Sequence, residues 1–228
     1  MKTNEKKAHL RKRSTSREMR TIFTNGLFLK NPVLISALGL YPVVAGGYNL
    51  RMGVQLSLLL FLIALPTALT FCLVGGVIPA WLRPGTVLAV SAAFYLPAAK
   101  ITDLLFPGAA TALGVFGGLM ICNSMLLSRC NDYAPFHLVR AVLADVFGCM
   151  IGYSIILCGF SLLREFLQRG SVWNSNVGPY VAADRGTALP FFGFILLGFA
   201  AALAKWVGDR REKRKEPRAD KLTERGAL

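Results

Sequence analysis

Apolar residues run along this chain in long blocks and do not alternate with polar ones. No charged residue occurs between Met52 and Trp81, or between Val87 and Ala99. Blocks of that length lack the polar stripe of a soluble surface helix. They match the ~20 apolar residues a helix needs to cross ~30 Å of hydrocarbon. The pattern predicts six membrane segments, near 32–46, 50–79, 86–106, 109–128, 137–163 and 189–208. Pro66 predicts a tilt or kink in the second.

The first and fourth segments differ from the rest. Asn31 to Asn49 is apolar, but a helix of that length falls short: sixteen helical residues rise only about 24 Å. Pro42 and Gly46-Gly47 interrupt it, leaving backbone groups without helical partners. Gly114 to Arg129 is a second short segment broken by glycines. Each opens a set of three spans, and an odd number per set threads the second set in the opposite sense. Interrupted segments in corresponding halves point to the working site of a membrane protein.

The expected fold is therefore an all-α membrane protein of six transmembrane helices. They form two inverted three-helix repeats, about 31–106 and 109–208, with interrupted short first and fourth helices. A basic cytoplasmic arm and interfacial segment (1–30) precede this membrane domain (31–208), and a charged cytoplasmic tail (209–228) follows. Residues 164–188 form the one sizeable outer loop.

Composition supports this reading: 54% of residues are hydrophobic and 17% charged. A net charge of +14 raises nucleic acid as a partner, but its placement argues against that. Nine Lys or Arg lie in residues 1–30 and nine more from Lys205 onward, flanking the hydrophobic blocks. With both termini inside, the tally is 21 on the cytoplasmic side against five outside, as the positive-inside rule requires. The first hydrophobic segment serves as the targeting signal, since no short apolar region with a cleavage site precedes it.

Candidate chemistry is sparse. Five cysteines, mostly inside apolar segments, do not suggest a disulfide framework, and no metal-binding spacing is present. Cys122, Cys149 and Cys158 read as small buried hydrophobes or, less simply, as ligands. Asp145 lies within the fifth span, where a carboxylate is costly unless it faces protein or water. It is either an ion or proton relay, or the structural partner of Arg129 or Arg140. Lys100 and Asp103, three apart, can pair on one helix face or sit at the interface. Paired glycines (Gly46-Gly47, Gly75-Gly76, Gly117-Gly118) allow close helix approach, to each other or to a cofactor.

Four stretches resemble the Rnf E / Nqr D type of membrane subunit, from ion-pumping bacterial electron-transport complexes. They are Asn25-Gly26-Leu27 with Asn31-Pro32-Val33 through Leu38-Gly39-Leu40 and Pro42; Leu119-Met120-Ile121-Cys122-Asn123 with Arg129; Leu163-Arg164-Glu165 through Gly170-Ser171; and Leu189-Pro190 with the span and basic tail after it. The resemblance covers about residues 22–215. It implies six spans, inverted repeats, a bacterial inner-membrane location and close pairing with a homologous subunit of opposite topology. It also implies a 2Fe–2S centre shared with that partner, held by one cysteine near the middle of each short segment. Here the chain departs: those positions are Tyr41 and Ser124, neither a good soft ligand for iron. Cys122 is two residues early, about 200° round a regular helix. Only unwinding would redirect it.

The expectation is a membrane subunit of an Rnf/Nqr-type ion-translocating electron-transport complex, structural or degenerate at the 2Fe–2S site. Its candidate positions are Tyr41, Ser124 and Cys122 at that site, with Asn123, Arg129 and Asp145 as ion-path or structural polar residues. The alternative is a solute-binding or carrier subunit using Asn31, Asn49, Asn123 and Asp145. No nucleophile–base pair or nucleotide fingerprint supports a standalone enzyme. At most the chain is a non-autonomous subunit of a ferredoxin:NAD or NADH:quinone oxidoreductase.

Overall fold

Two long helices, α1 (Leu50–Val74) and α5 (Val139–Arg169), lie side by side and antiparallel through the centre of the structure. The computed structural model describes residues 39–169, 171–173, 175–176 and 190–213. The basic arm, Asn31 with the start of the first segment, most of the outer loop and the end of the tail lie outside the described residues. In α1 the buried positions from Leu56 onward include Leu56, Leu59, Leu60, Ile63, Ala64, Thr67, Ala68 and Phe71, the three-and-four spacing of a single helix face, and Gly53, Gln55 and Ser57 are buried as well. In α5 the matching face is Val142, Asp145, Val146, Cys149, Met150, Tyr153, Leu157 and Ser161. Apolar side chains from these two faces make up much of the core.

The remaining described helices pack on α1 or on the neighbouring turns, the last of them on residues Pro42–Gly46. They are α2 (Arg83–Leu105), α3 (Ala109–Leu119), α4 (Ser124–Ser128) and α6 (Pro190–Lys213). Four stretches are long and apolar enough to cross a membrane: Leu50–Val74, Arg83–Leu105, Ala109–Phe136 and Val139–Gln168. Within α6, Gly193–Leu203 is a shorter apolar helix. The described residues thus form a helical membrane protein, with one small hairpin in which Ser171–Val172 pairs with Ser175–Asn176.

Two boundaries correct the sequence reading. Helix α1 stops at Val74, not 79, where the Gly75 N–H bonds the Phe71 carbonyl at 2.9 Å. Pro66 lies inside this continuous helix. Helix α5 runs on to Arg169, so Arg164 and Glu165 belong to the span and not to the outer loop. Both are almost fully buried. Their charge looks like a loop signal in the sequence, but in the structure it is absorbed by neighbouring backbone.

The two interrupted segments are broken as their sequences imply. In the first, Gly39 has a positive φ of 67°, and a π-helical turn covers Pro42–Gly46. The chain then leaves helical geometry until α1 begins. In the second, Gly114 is non-helical inside α3 (φ 46°, ψ −129°). A 3-10 turn then spans Met120–Cys122, and Asn123 is extended. This segment continues past 128 through a π turn (Arg129–Tyr133) and a 3-10 turn to Phe136. Its irregularity lengthens it beyond the expected boundary.

Candidate functional site

The two breaks meet. The Gly39 N–H donates to Ser124 Oγ at 2.7 Å, and the Tyr153 hydroxyl donates to the Gly39 carbonyl at 3.2 Å. The Tyr41 hydroxyl donates to the Leu119 carbonyl and lies 3.5 Å from Met120 Sδ. Asn123 is fully buried. Its Oδ1 accepts the Met125 N–H at 3.0 Å and so caps α4, while its Nδ2 faces Met120 Sδ at 3.8 Å. A side chain at Gly39 would strike Tyr153 and Asn123, and its left-handed backbone suits glycine alone. Unpaired backbone groups inside a bilayer cost several kcal/mol each. The side-chain hydroxyls here supply the partners that a broken helix lacks.

The end of the first break is closed by α5. Arg164 Nη1 donates to the Val44 carbonyl at 2.7 Å, with its guanidinium 4.4 Å from the centre of the Tyr48 ring. Glu165 Oε2 accepts the Leu50 N–H at 2.7 Å, serving one free donor at the start of α1. One turn earlier in α5, Ser161 sits against Gly47 and Gly53, where a Cβ on either would overlap its hydroxyl.

At the other end of α5, Arg129 Nη1 lies 3.5 Å from Asp145 Oδ1 and forms an ion pair with it. Cys149 Sγ approaches the same oxygen at 3.8 Å. Arg129 Nε and Asp145 Oδ2 have no hydrogen-bond partner among the described residues. The carboxylate's partner is thus Arg129 and not Arg140. Lys100 and Asp103 do not pair: Asp103 Oδ1 instead accepts the Ala110 N–H at 3.1 Å, tying the end of α2 to the start of α3. A backbone donor presented across a tight turn competes successfully with an exposed lysine.

Of the sequence-predicted positions, the structure brings together Tyr41, Ser124 and Asn123, and separately Arg129 and Asp145. Cys122 lies on the unwound turn but is exposed, and Cys149 is buried beside Asp145. A four-thiolate iron centre needs two sulfur donors from each of two chains. Here two of the three positions carry hydroxyls already bonded to backbone, which leaves one thiol. Among the described residues no group of three or more His, Cys, Asp or Glu is placed to hold a metal. The donor set does not fit the group.

Two features escaped the sequence reading: the roles of Arg164 and Glu165, and buried Gln55. The signal existed in each case, as a polar residue inside an otherwise apolar run. A row at every fourth residue of α5, Asp145, Cys149, Tyr153, Leu157, Ser161 and Glu165, links all three polar stations.

Broken helices that meet beside a continuous one, closed by buried polar side chains, define a multi-span membrane protein of the transporter or translocase kind. Residues 19–202 match the family described as "Rnf-Nqr subunit, membrane protein". The chain belongs to that family. It is 25% identical over 184 residues to the E subunit of the Na(+)-translocating ferredoxin:NAD(+) oxidoreductase complex of Acetobacterium woodii, covering 80% of this chain and 94% of that one. It is 24% identical over 218 residues to the E subunit of the ion-translocating oxidoreductase complex of Vibrio cholerae, covering 90% and 94%. It is 23% identical over 166 residues to the D subunit of the Na(+)-translocating NADH-quinone reductase of Pseudoalteromonas translucida, covering 73% and 79%.

Proposed function

We propose that this chain is a membrane subunit of an ion-translocating electron-transport complex, and that its central junction supplies no pair of ligands to an iron–sulfur centre. The observation that carries the second half is the hydrogen-bonded meeting of the two breaks. Tyr41 and Ser124, which stand where the resemblance places cysteines, hold backbone instead. The first half is supported by the family and by relatives named as subunits of such complexes. Nothing comparable favours a solute carrier.

The six-span inverted repeat is part of this reading. Asn49, where the first broken segment ends, and Gly108, where the second begins, line one cavity at the same end of the bundle. The segments therefore run in opposite senses through the junction. The Lys and Arg distribution supports both termini on the cytoplasmic face of the inner membrane. A homologous partner of opposite topology is the natural cover for the side bearing exposed Cys122. Asn123 is structural in this scheme, and Asp145 with Arg129 is the polar pair placed for an ion path.

The test is to purify the chain with its neighbouring subunits and measure iron, acid-labile sulfide and the absorption spectrum. Tyr41→Phe and Ser124→Ala are expected to leave iron and sulfide per complex unchanged. Loss of a cluster in either variant overturns the no-ligand reading, and purification of the chain without any redox partner overturns the complex.

A further inference from the structure

The link from α1 to α2, residues 75–82, contains no polar side chain: Gly-Gly-Val-Ile-Pro-Ala-Trp-Leu. It stands out from the bundle, with Val77 86% and Trp81 80% exposed. Leu73, Val74 and Leu82 extend the exposed apolar run. A run of this kind marks a surface that something covers, and Trp suits the boundary between acyl chains and headgroups. The link is also held firmly. Gly75 lies against Pro135 with no room for a Cβ, and the Val77 and Leu82 N–H groups bond the Val74 and Pro79 carbonyls at 3.0 Å.

Arg83, the first residue of α2, is fixed by the same link. Its Nε donates to the Ile78 carbonyl at 3.1 Å, and its guanidinium lies 5.1 Å from the centre of the Phe136 ring. A guanidinium held on one edge and one face presents its Nη groups as a ready fork for a phosphate. The first turn of α2 is open beside it, since a Cβ at Gly85 would meet nothing within 4 Å, and a helix start favours an anion. Arg140, exposed in the first turn of α5, adds a second cation at this end of the bundle. Neither arginine pairs with a carboxylate among the described residues. The acids of the neighbouring turns are engaged: Asp132 accepts from Ser128 and Asn131, and Asp145 pairs with Arg129.

We propose that this end of the bundle is a binding site for an anionic phospholipid. Val77, Trp81 and Leu82 enter the acyl–headgroup boundary, and Arg83 with Arg140 holds the headgroup phosphate. A choline or ethanolamine headgroup would bring its own cation to the same two arginines, so a headgroup of net negative charge is preferred. The site goes beyond the electron-transport reading and does not depend on it.

The test uses the full chain with Trp173→Phe and Trp206→Phe, which leaves Trp81 as the sole tryptophan. The chain is reconstituted in vesicles of phosphatidylcholine and phosphatidylglycerol, with the same acyl-brominated chain carried by one lipid or the other, and quenching of Trp81 is compared. The brominated phosphatidylglycerol is expected to occupy the site about fivefold in preference, the factor that one nearby cationic side chain supplies. Arg83→Gln removes most of that preference and Arg83→Lys keeps part of it. Arg140→Gln lowers it in the same direction and serves if the Arg83 variants do not fold. Equal quenching by the two lipids, or a preference unchanged in both glutamine variants, overturns the site. Absence of quenching by either lipid places Trp81 outside the bilayer or under protein and overturns it as well.

Discussion

Ser124 Oγ accepts the backbone N–H of Gly39 at 2.7 Å, across 85 residues of sequence. Together with the Tyr41 hydroxyl on the Leu119 carbonyl, this bond joins the two broken segments at the level of Tyr153, near the middle of α5. Ser124→Ala leaves a backbone donor unmet and is expected to destabilise the subunit by about 1–2 kcal/mol. Ser124→Thr, which keeps the hydroxyl, recovers most of that. Thermal aggregation in detergent reads both, and equal melting of the alanine and threonine variants would refute the contact.

Arg164 combines a hydrogen bond to the Val44 carbonyl with a face-on approach to the Tyr48 ring. Lysine lacks the planar group needed to do both at once. Arg164→Lys is expected to lower stability by about 1–2 kcal/mol, and Arg164→Met by more. A lysine variant as stable as the parent in the same melting assay would show that charge alone matters there.

Gly53 packs against Ser161 with no room for a methyl group. Gly53→Ala alone is expected to cost about 1–3 kcal/mol through overpacking. Adding Ser161→Gly opens the space and restores part of the loss, a non-additivity that a double-mutant cycle measures. Strict additivity would place the damage elsewhere.

Asp145 and Arg129 meet through one contact at 3.5 Å, and the Arg129 side chain remains 24% exposed. Their coupling should be modest, about 1 kcal/mol, because solvent screens the more open partner. Asp145→Asn and Arg129→Gln combined should cost less than the sum of the two single changes in detergent melts. A coupling near zero would mean that the pair does not contribute to stability.

Cys122 is exposed, whereas Cys130 and Cys149 are fully buried. A maleimide should label Cys122 in the separated subunit and reach the other two only on unfolding, as peptide mass spectrometry would show. Incorporation into the complex should protect Cys122 if a partner covers that side.

Much of this architecture was legible from patterning. Long uncharged blocks marked α1 and α2, and Pro42 with the neighbouring glycines marked the first break. The breaks could be located because helix-disrupting residues act locally. What held the breaks was harder to read. Arg164 and Glu165 look like the start of a loop because charge usually ends a span, and only the distant Val44 and Leu50 backbone shows why they stay inside. Gln55 passed unnoticed for a related reason: one amide in an apolar run has no periodicity, and its burial shows only in the packed fold. Lys100 and Asp103 failed the other way, having the right spacing but a better competitor in the Ala110 N–H.

The row at every fourth residue of α5 has a mechanical consequence. One rod is fastened at three heights, to Arg129 below, Gly39 at mid-depth and Leu50 above. It cannot slide along its axis by even half a turn without releasing all three fastenings together. Any working motion that keeps them intact must therefore leave α5 standing still as a mast and swing the surrounding helices about it.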